Sequence, residues 1–235
     1  MPTGNVTVLE DCRVFVGGID LSGQANQVGM GAAVTFNDVT SFGSANWAEN
    51  RPGTRTSRLD VTTYLDESLT TTALDVGTTG LICTVCDDDA EFSDGYSLSG
   101  VSMSLGREMP IGEVLRQPVG LVGSGKMWHG ELLLPRATRA AGGTGSIRQL
   151  GAVLSTQRVY ASLHIFSATG GTVTATVQSA ALVGFGSPTS RVSFSAASSG
   201  AQTLSTAGAI TDQFWRISWT QTASSASFAV FVGIE

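Results

Sequence analysis

Met103–Leu134, MSLGREMPIGEVLRQPVGLVGSGKMWHGELLL, decides the fold class of this chain. Its glycines and prolines recur too often for a helix, because each removes either a hydrogen bond or conformational restraint that a helix needs. The apolar runs between them read as two or three strands joined by Gly- and Pro-marked turns. Lys126–Leu134 (KMWHGELLL) is the last of these strands, and no catalytic constellation lies in or near the stretch. The segment that follows, Pro135–Ser146 (PRATRAAGGTGS), has no periodicity and reads as a linker or a long loop.

The chain beyond that joint reads as strand throughout. In Arg158–Ser167 (RVYASLHIFS), Val159, Ala161, Leu163 and Ile165 fall on one face, with Tyr160, Ser162, His164 and Phe166 on the other. Gly170-Gly171 turns this strand into Val173–Ser179, and further strands are expected at Ser190–Ala196, Gln213–Gln221 and Ser227–Ile234. Strands at this spacing, with no helical pattern between them, point to a β-sandwich.

The first half is more mixed. Cys12–Val16, Gln27–Phe36, Arg58–Leu65, Leu81–Val85 and Tyr96–Leu105 read as strands, and Glu49–Thr56 (ENRPGTRT) as an exposed loop. Asp66–Asp75 (DESLTTTALD) is the helix candidate: Asp66 can cap it, and Leu65, Leu69 and Ala73 share a face. The expected fold is therefore mainly β, with two sandwich- or barrel-like domains, the first carrying one short α-helix beside its sheet. Their bounds are 1–135 and 147–235, with 136–146 as the joint.

Four signatures of the first half carry a family resemblance. They are V-x-V-G-G-x-D-L-S-G at Val14–Gly23, D-V-T-x-F-G-S at Asp38–Ser44, R-P-G at Arg51–Gly53, and the strand ending Y-L-D at Leu59–Asp66. In this order and spacing they resemble the N-terminal portion of phage tail tube (major tail) proteins and related virion proteins. The resemblance implies a β-sandwich or β-barrel core with a helix beside the sheet. It also implies subunits that form rings, commonly sixfold, which stack into a tube enclosing a channel for DNA. Other tail proteins would then be partners, and the location would be the virion tail.

Composition fits a β protein whose surface neighbours will cover, and equally an ordinary β-sandwich with a plain surface. Charged residues are 14% of the chain, against about 25% in ordinary soluble domains. The net charge of −6 argues against nonspecific grip on nucleic-acid phosphates, as a conduit that DNA merely traverses requires. No apolar run approaches the ~20 residues that span a bilayer, so no membrane partner is expected. MPTGNVTVLEDC shows no basic region followed by an apolar stretch, which leads us to expect synthesis in a host cytoplasm.

Each candidate for chemistry has a plainer reading. Cys83 and Cys86 form a C-x-x-C, but within a strand-like LICTVC followed by DDD, where neighbouring negative charge would raise a thiol pKa. With Cys12 the count is odd, which argues against a disulfide framework. Asp87–Asp94 holds five carboxylates in eight residues, yet its spacing is not that of a calcium loop, and a solvated turn is expected. His129 has no second histidine or cysteine nearby, so a partly buried, hydrogen-bonded residue is expected.

His164, with Ser162, Ser167 and Asp212, lacks the G-x-S-x-G context of a hydrolase triad. Trp215, Trp219 and Tyr160 could form a sugar-stacking platform, although Trp215 and Trp219 share a strand face with Ile217 and suit a core. No catalytic, cofactor-binding or metal residue is assigned, and no enzyme is expected. The alternative to a tail tube subunit is a capsid decoration protein or a fibre-type adhesin whose second domain binds glycan.

Overall fold

The computed structural model describes residues 11–40, 47–64, 74–108, 111 and 114–235. As expected, the fold is mainly β, and no α-helix occurs among the described residues. All but the last two residues of the helix candidate Asp66–Asp75 lie outside them. The strands of the first half are β1 (Arg13–Val16), β2 (Ile19–Asp20), β3 (Ala25–Asp38), β4 (Asn50–Tyr64), β5 (Leu81–Cys86), β6 (Asp94–Leu105) and β7 (Arg116–Gly123). There follow β8 (Trp128–Arg139), β9 (Gly143–Thr144), β10 (Arg148–Gln149), β11 (Arg158–Thr169) and β12 (Val173–Ala180). β13 (Thr189–Ser193), β14 (Gly200–Ala207), β15 (Phe214–Gln221) and β16 (Ser225–Ile234) complete the chain.

One large sheet runs β14-β11-β16-β8-β6-β5-β1-β2, and β7, β4 and β3 branch from β6. The N-terminal part of β6 pairs with β8 (Ser97↔Trp128) and its C-terminal part with β7 (Leu105↔Val119), so the sheet forks along one strand. A second sheet, β10-β15-β12-β13 with β9 beside β15, covers the other half.

Three packed layers result. Val14, Val16, Leu59, Val61, Cys83, Leu98, Val119 and Leu121 form the core of the first half. Val159, Leu163, Ile165, Val177, Trp215, Ile217, Phe228 and Val230 form the core of the second, between β11/β16 and the second sheet. Between them lies a third cluster of Phe15, Cys86, Trp128, Leu132, Ala229 and Phe231, with Tyr160 and Phe166 packed against it. The expected alternation of Arg158–Ser167 is observed. Its aliphatic face is in the second core, and its Tyr160/Phe166 face is turned to this seam.

Two expectations are corrected by strand pairing. Residues 136–146 are not a free joint: β8 continues through Ala137 and Thr138, paired with Phe228 and Ser227 of β16. Gly143 then pairs with Trp219, where a Cβ would stand 2.9 Å from the indole ring. The small residues of this stretch serve close packing, which composition alone does not distinguish from flexibility. Likewise, the expected loop at Glu49–Thr56 lies mostly in β4. Pro52, opposite Phe36, is accommodated beside a register shift between Val34 and Phe36, the kind of position where a strand tolerates a missing N–H.

The two ends of the large sheet meet where the β1–β2 turn touches the start of β14. Gly18 has φ +86°, and a Cβ there would lie 2.7 Å from the Cα of Gly200. Both the left-handed backbone and the absence of space demand glycine. Gly18→Ala is expected to lower stability by about 1–3 kcal/mol in equilibrium urea unfolding. Gly23→Ala, which meets no atom within 4 Å, should change it by less than about 0.5 kcal/mol. Equal effects of the two would contradict this contact.

Candidate functional site: a buried polar seam and a projecting arm

The seam is polar at its centre. His164 on β11 is 1% exposed, and its Nε2 lies 2.8 Å from Thr84 Oγ1 on β5. Thr84 donates to Ser97 Oγ on β6 at 3.1 Å, and Ser97 donates to the Cys83 carbonyl at 3.0 Å. Ser97 also lies 3.0 Å from Ser162 Oγ, whose single proton can go to Ser97 or to Thr203 Oγ1 on β14, 3.3 Å away.

A hydroxyl has a single proton. Since Thr84 spends its proton on Ser97, it must accept from His164, so His164 carries its proton on Nε2. Nδ1 is buried without a hydrogen-bond partner among the described residues, beside the rings of Phe15 (5.6 Å) and Phe166 (6.4 Å). The seam is flanked by ion pairs that join the halves: Arg136 of β8 with Asp20 of β2, and Lys126 with Glu235. Arg136 also lies over the Phe166 ring.

Burial pushes the His164 pKa down from 6.5 to about 3, and the Asp20 carboxylate opposes this only in part. The unfolded chain therefore takes up a proton near pH 6.5 that the folded chain refuses until about pH 3, so stability falls as pH drops through that window. His164→Gln, which keeps a donor for Thr84, should flatten urea-unfolding stability across this range. An unchanged slope would contradict a neutral, buried His164.

The other candidates fall elsewhere. Asp212 is in the second half, where its Oδ2 accepts from Ser179 Oγ at 2.6 Å and from Arg191 at 2.8 Å. Those contacts, the serine hydrogen bond foremost, hold its pKa down. The carboxylate is therefore engaged away from His164.

Cys83 and Cys86 are free thiols on opposite faces of β5, one in the first core and one in the seam. Burial pushes Cys83 up to about 12 and raises Cys86 as well, so neither resembles an activated thiol. His129 is exposed rather than partly buried, 3.6 Å from Asp94 and edge-on to Tyr96. Trp215 is fully buried and donates to the Gly151 carbonyl. Trp219 packs on Phe228, beneath Arg139, and donates to the Ala141 carbonyl. The Tyr160 ring stacks on Trp128.

The acidic turn between β5 and β6 has a pinned backbone: Asp87 N–H donates to the Asp94 carbonyl and Asp88 N–H to Ser93 Oγ. Asp89 pairs with Arg13, while Asp87 and Asp88 are exposed and have no ion pair among the described residues.

The feature that sequence reading passed over is the hairpin of β3 and β4. Its base is core, with Val28 and Met30 opposite the buried Val61 and Leu59. β7 accompanies β4 only as far as Arg58. Beyond that level, Ala32–Asp38 and Asn50–Ser57 continue as a two-stranded ribbon, nearly all exposed and extending about 25 Å. Phe36 is 64% exposed on it, and Trp47 near its tip 79%. From Ala25 to Asn37 the outer edge has no charged residue and no proline, the devices by which edge strands resist pairing. The signal was present in QVGMGAAVTF, an uncharged run with small residues, read only as a strand.

No family model matches the chain, and no curated protein matches it. Among solved structures, a chain from the virion of a native gene transfer agent particle is similar at 12% identity, over 53% of this chain and 98% of that one, with a TM-score of 0.43. The SPP1 Dit protein, described as a paradigm of the hub adsorption apparatus in phages infecting Gram-positive hosts, is similar at 11% identity. That match covers 96% of this chain and 100% of the other, with a TM-score of 0.39. At these scores neither likeness bears on what the chain does.

Proposed function

We propose that this chain is a structural subunit of a phage-type virion, a tail tube subunit that assembles through the β3–β4 arm into stacked rings around a DNA channel. The observation that carries this reading is the arm itself. An isolated two-stranded ribbon is marginal in water, and among the described residues this one exposes Phe36 and an uncharged edge without cover. A neighbouring copy that adds a strand or a face would supply both. The tail tube signatures at Val14–Gly23, Asp38–Ser44, Arg51–Gly53 and Leu59–Asp66 point the same way, and Arg51–Gly53 lies on the arm.

In this reading the protein is made in the host cytoplasm and resides in the virion tail. It contacts other tail proteins and lets DNA pass without specific binding. It needs no cofactor and performs no catalysis. The decoration-protein or glycan-binding alternative has less support, because Trp215 and Trp219 are committed to packing and backbone hydrogen bonds.

The test compares the full chain with a variant in which residues 33–56 are replaced by an Asn-Gly turn, so that the paired Ala32 and Ser57 flank it. As concentration rises, the full chain should give rings or tubes by negative-stain electron microscopy and light scattering, while the shortened variant stays a folded monomer. A full chain that remains monomeric, or a shortened one that assembles equally well, would overturn the proposal.

A further inference from the structure

Resting on the reading that copies of this chain assemble through the arm, we infer which part of the neighbour the arm meets: Arg51 and Arg55 of one copy against Asp87 and Asp88, the acidic β5–β6 turn, of the next. Most arginines elsewhere in the described chain are engaged within it, such as Arg13 with Asp89, Arg148 with Glu131 and Arg191 with Asp212, Arg107 being an exception. Arg51 and Arg55 are exposed on β4 and have neither an ion pair nor a side-chain hydrogen bond among the described residues. Nearer the base, Arg58 is held by Asp60. Two exposed cations without an ion pair, in a chain of net charge −6, call for an anionic partner. The turn offers one: Asp87 and Asp88 are exposed, unpaired and carried on a fixed backbone.

The topology puts both features at one end of the large sheet. Arg58, Val122 and Val101 lie at one level across β4, β7 and β6. β4 and β6 are each antiparallel to β7, so from that level both run outward in the same direction, β4 to Asn50 and β6 to Asp94. The arm and the acidic turn therefore lie at similar heights on one subunit. Features at equal height meet when subunits stand side by side in a ring, and pass each other when subunits stack along an axis. The contact is heterologous, arm to turn and on to the next arm, which is the type that closes rings. Val34 and Phe36, on the side of the ribbon that also carries Arg55, supply buried area. The charge pairs choose the neighbour and orient it, which is what exposed charges do best.

The test uses the full chain in two doubly reversed forms, Arg51→Glu with Arg55→Glu, and Asp87→Arg with Asp88→Arg. Each alone presents like charges at every arm–turn contact and should raise the concentration needed for assembly at least about tenfold at low salt. An equimolar mixture presents opposite charges at every contact between unlike copies. It should assemble near the wild-type concentration, as rings in which the two forms alternate. Recovery by mixing also shows that both variants are folded.

If the wild type assembles and the reversals leave it unchanged, or mixing fails to restore assembly, the arm–turn pairing is overturned while assembly through the arm stands. If the wild type never assembles, both fall. If the arm reversal instead abolishes retention of double-stranded DNA and mixing restores nothing, the partner of the arginines is nucleic acid, and the pairing is likewise overturned.

Discussion

The structure depends on the burial of β11 and β16 on both faces. One face of these strands builds the second core with Trp215 and Ile217, and the other closes the seam with Phe15, Trp128 and Phe231. A strand used twice in this way cannot shift register by one residue without placing every side chain in the wrong layer. The polar chain from His164 through Thr84 and Ser97 to Ser162 acts within the same constraint, since a buried hydroxyl or imidazole that loses its partner costs more than the hydrogen bond contributes. The two halves therefore hold each other in one arrangement, and the arm leaves from a base fixed by that arrangement.

On the proposed function, this division of labour separates stability from assembly. Among the described residues β3 pairs on one edge only, and from Ala25 to Asn37 it carries no charge along the free one. The polar and ionic groups of the body are largely matched within it. Arg51 and Arg55 on the ribbon and Asp87 and Asp88 on the turn, which have no ion pair among the described residues, lie at the surface at one end of the sheet. A chain optimised to remain alone in solution would place charges on the edge and pair its arginines.

Much of this was legible residue by residue. The period of two in Arg158–Ser167 placed Val159, Leu163 and Ile165 in a core, and the alternation of Gln213–Gln221 buried Trp215. Pairing over long distances was not legible, because periodicity says which residues share a face and nothing about what covers it. The Tyr160/His164/Phe166 face thus gave no sign of meeting β5 and β1, nor Pro135–Arg139 of continuing a strand. ENRPGTRT read as a loop because turn formers dominate it, and pairing to β3 overrode that local preference. The arm escaped notice for a related reason: exposure on both faces is a property of what is absent around a strand, which no local pattern encodes.

The central claim is that the free edge of β3 is completed by another copy. Amide hydrogen exchange of the full chain, followed peptide by peptide at low concentration and after assembly, tests it most directly. The account predicts that amides of Gly31–Asp38 exchange rapidly in the isolated chain and become protected on assembly, while those of β11 and β16 are protected in both. Assembly that leaves Gly31–Asp38 exchanging as fast as in the isolated chain would contradict it.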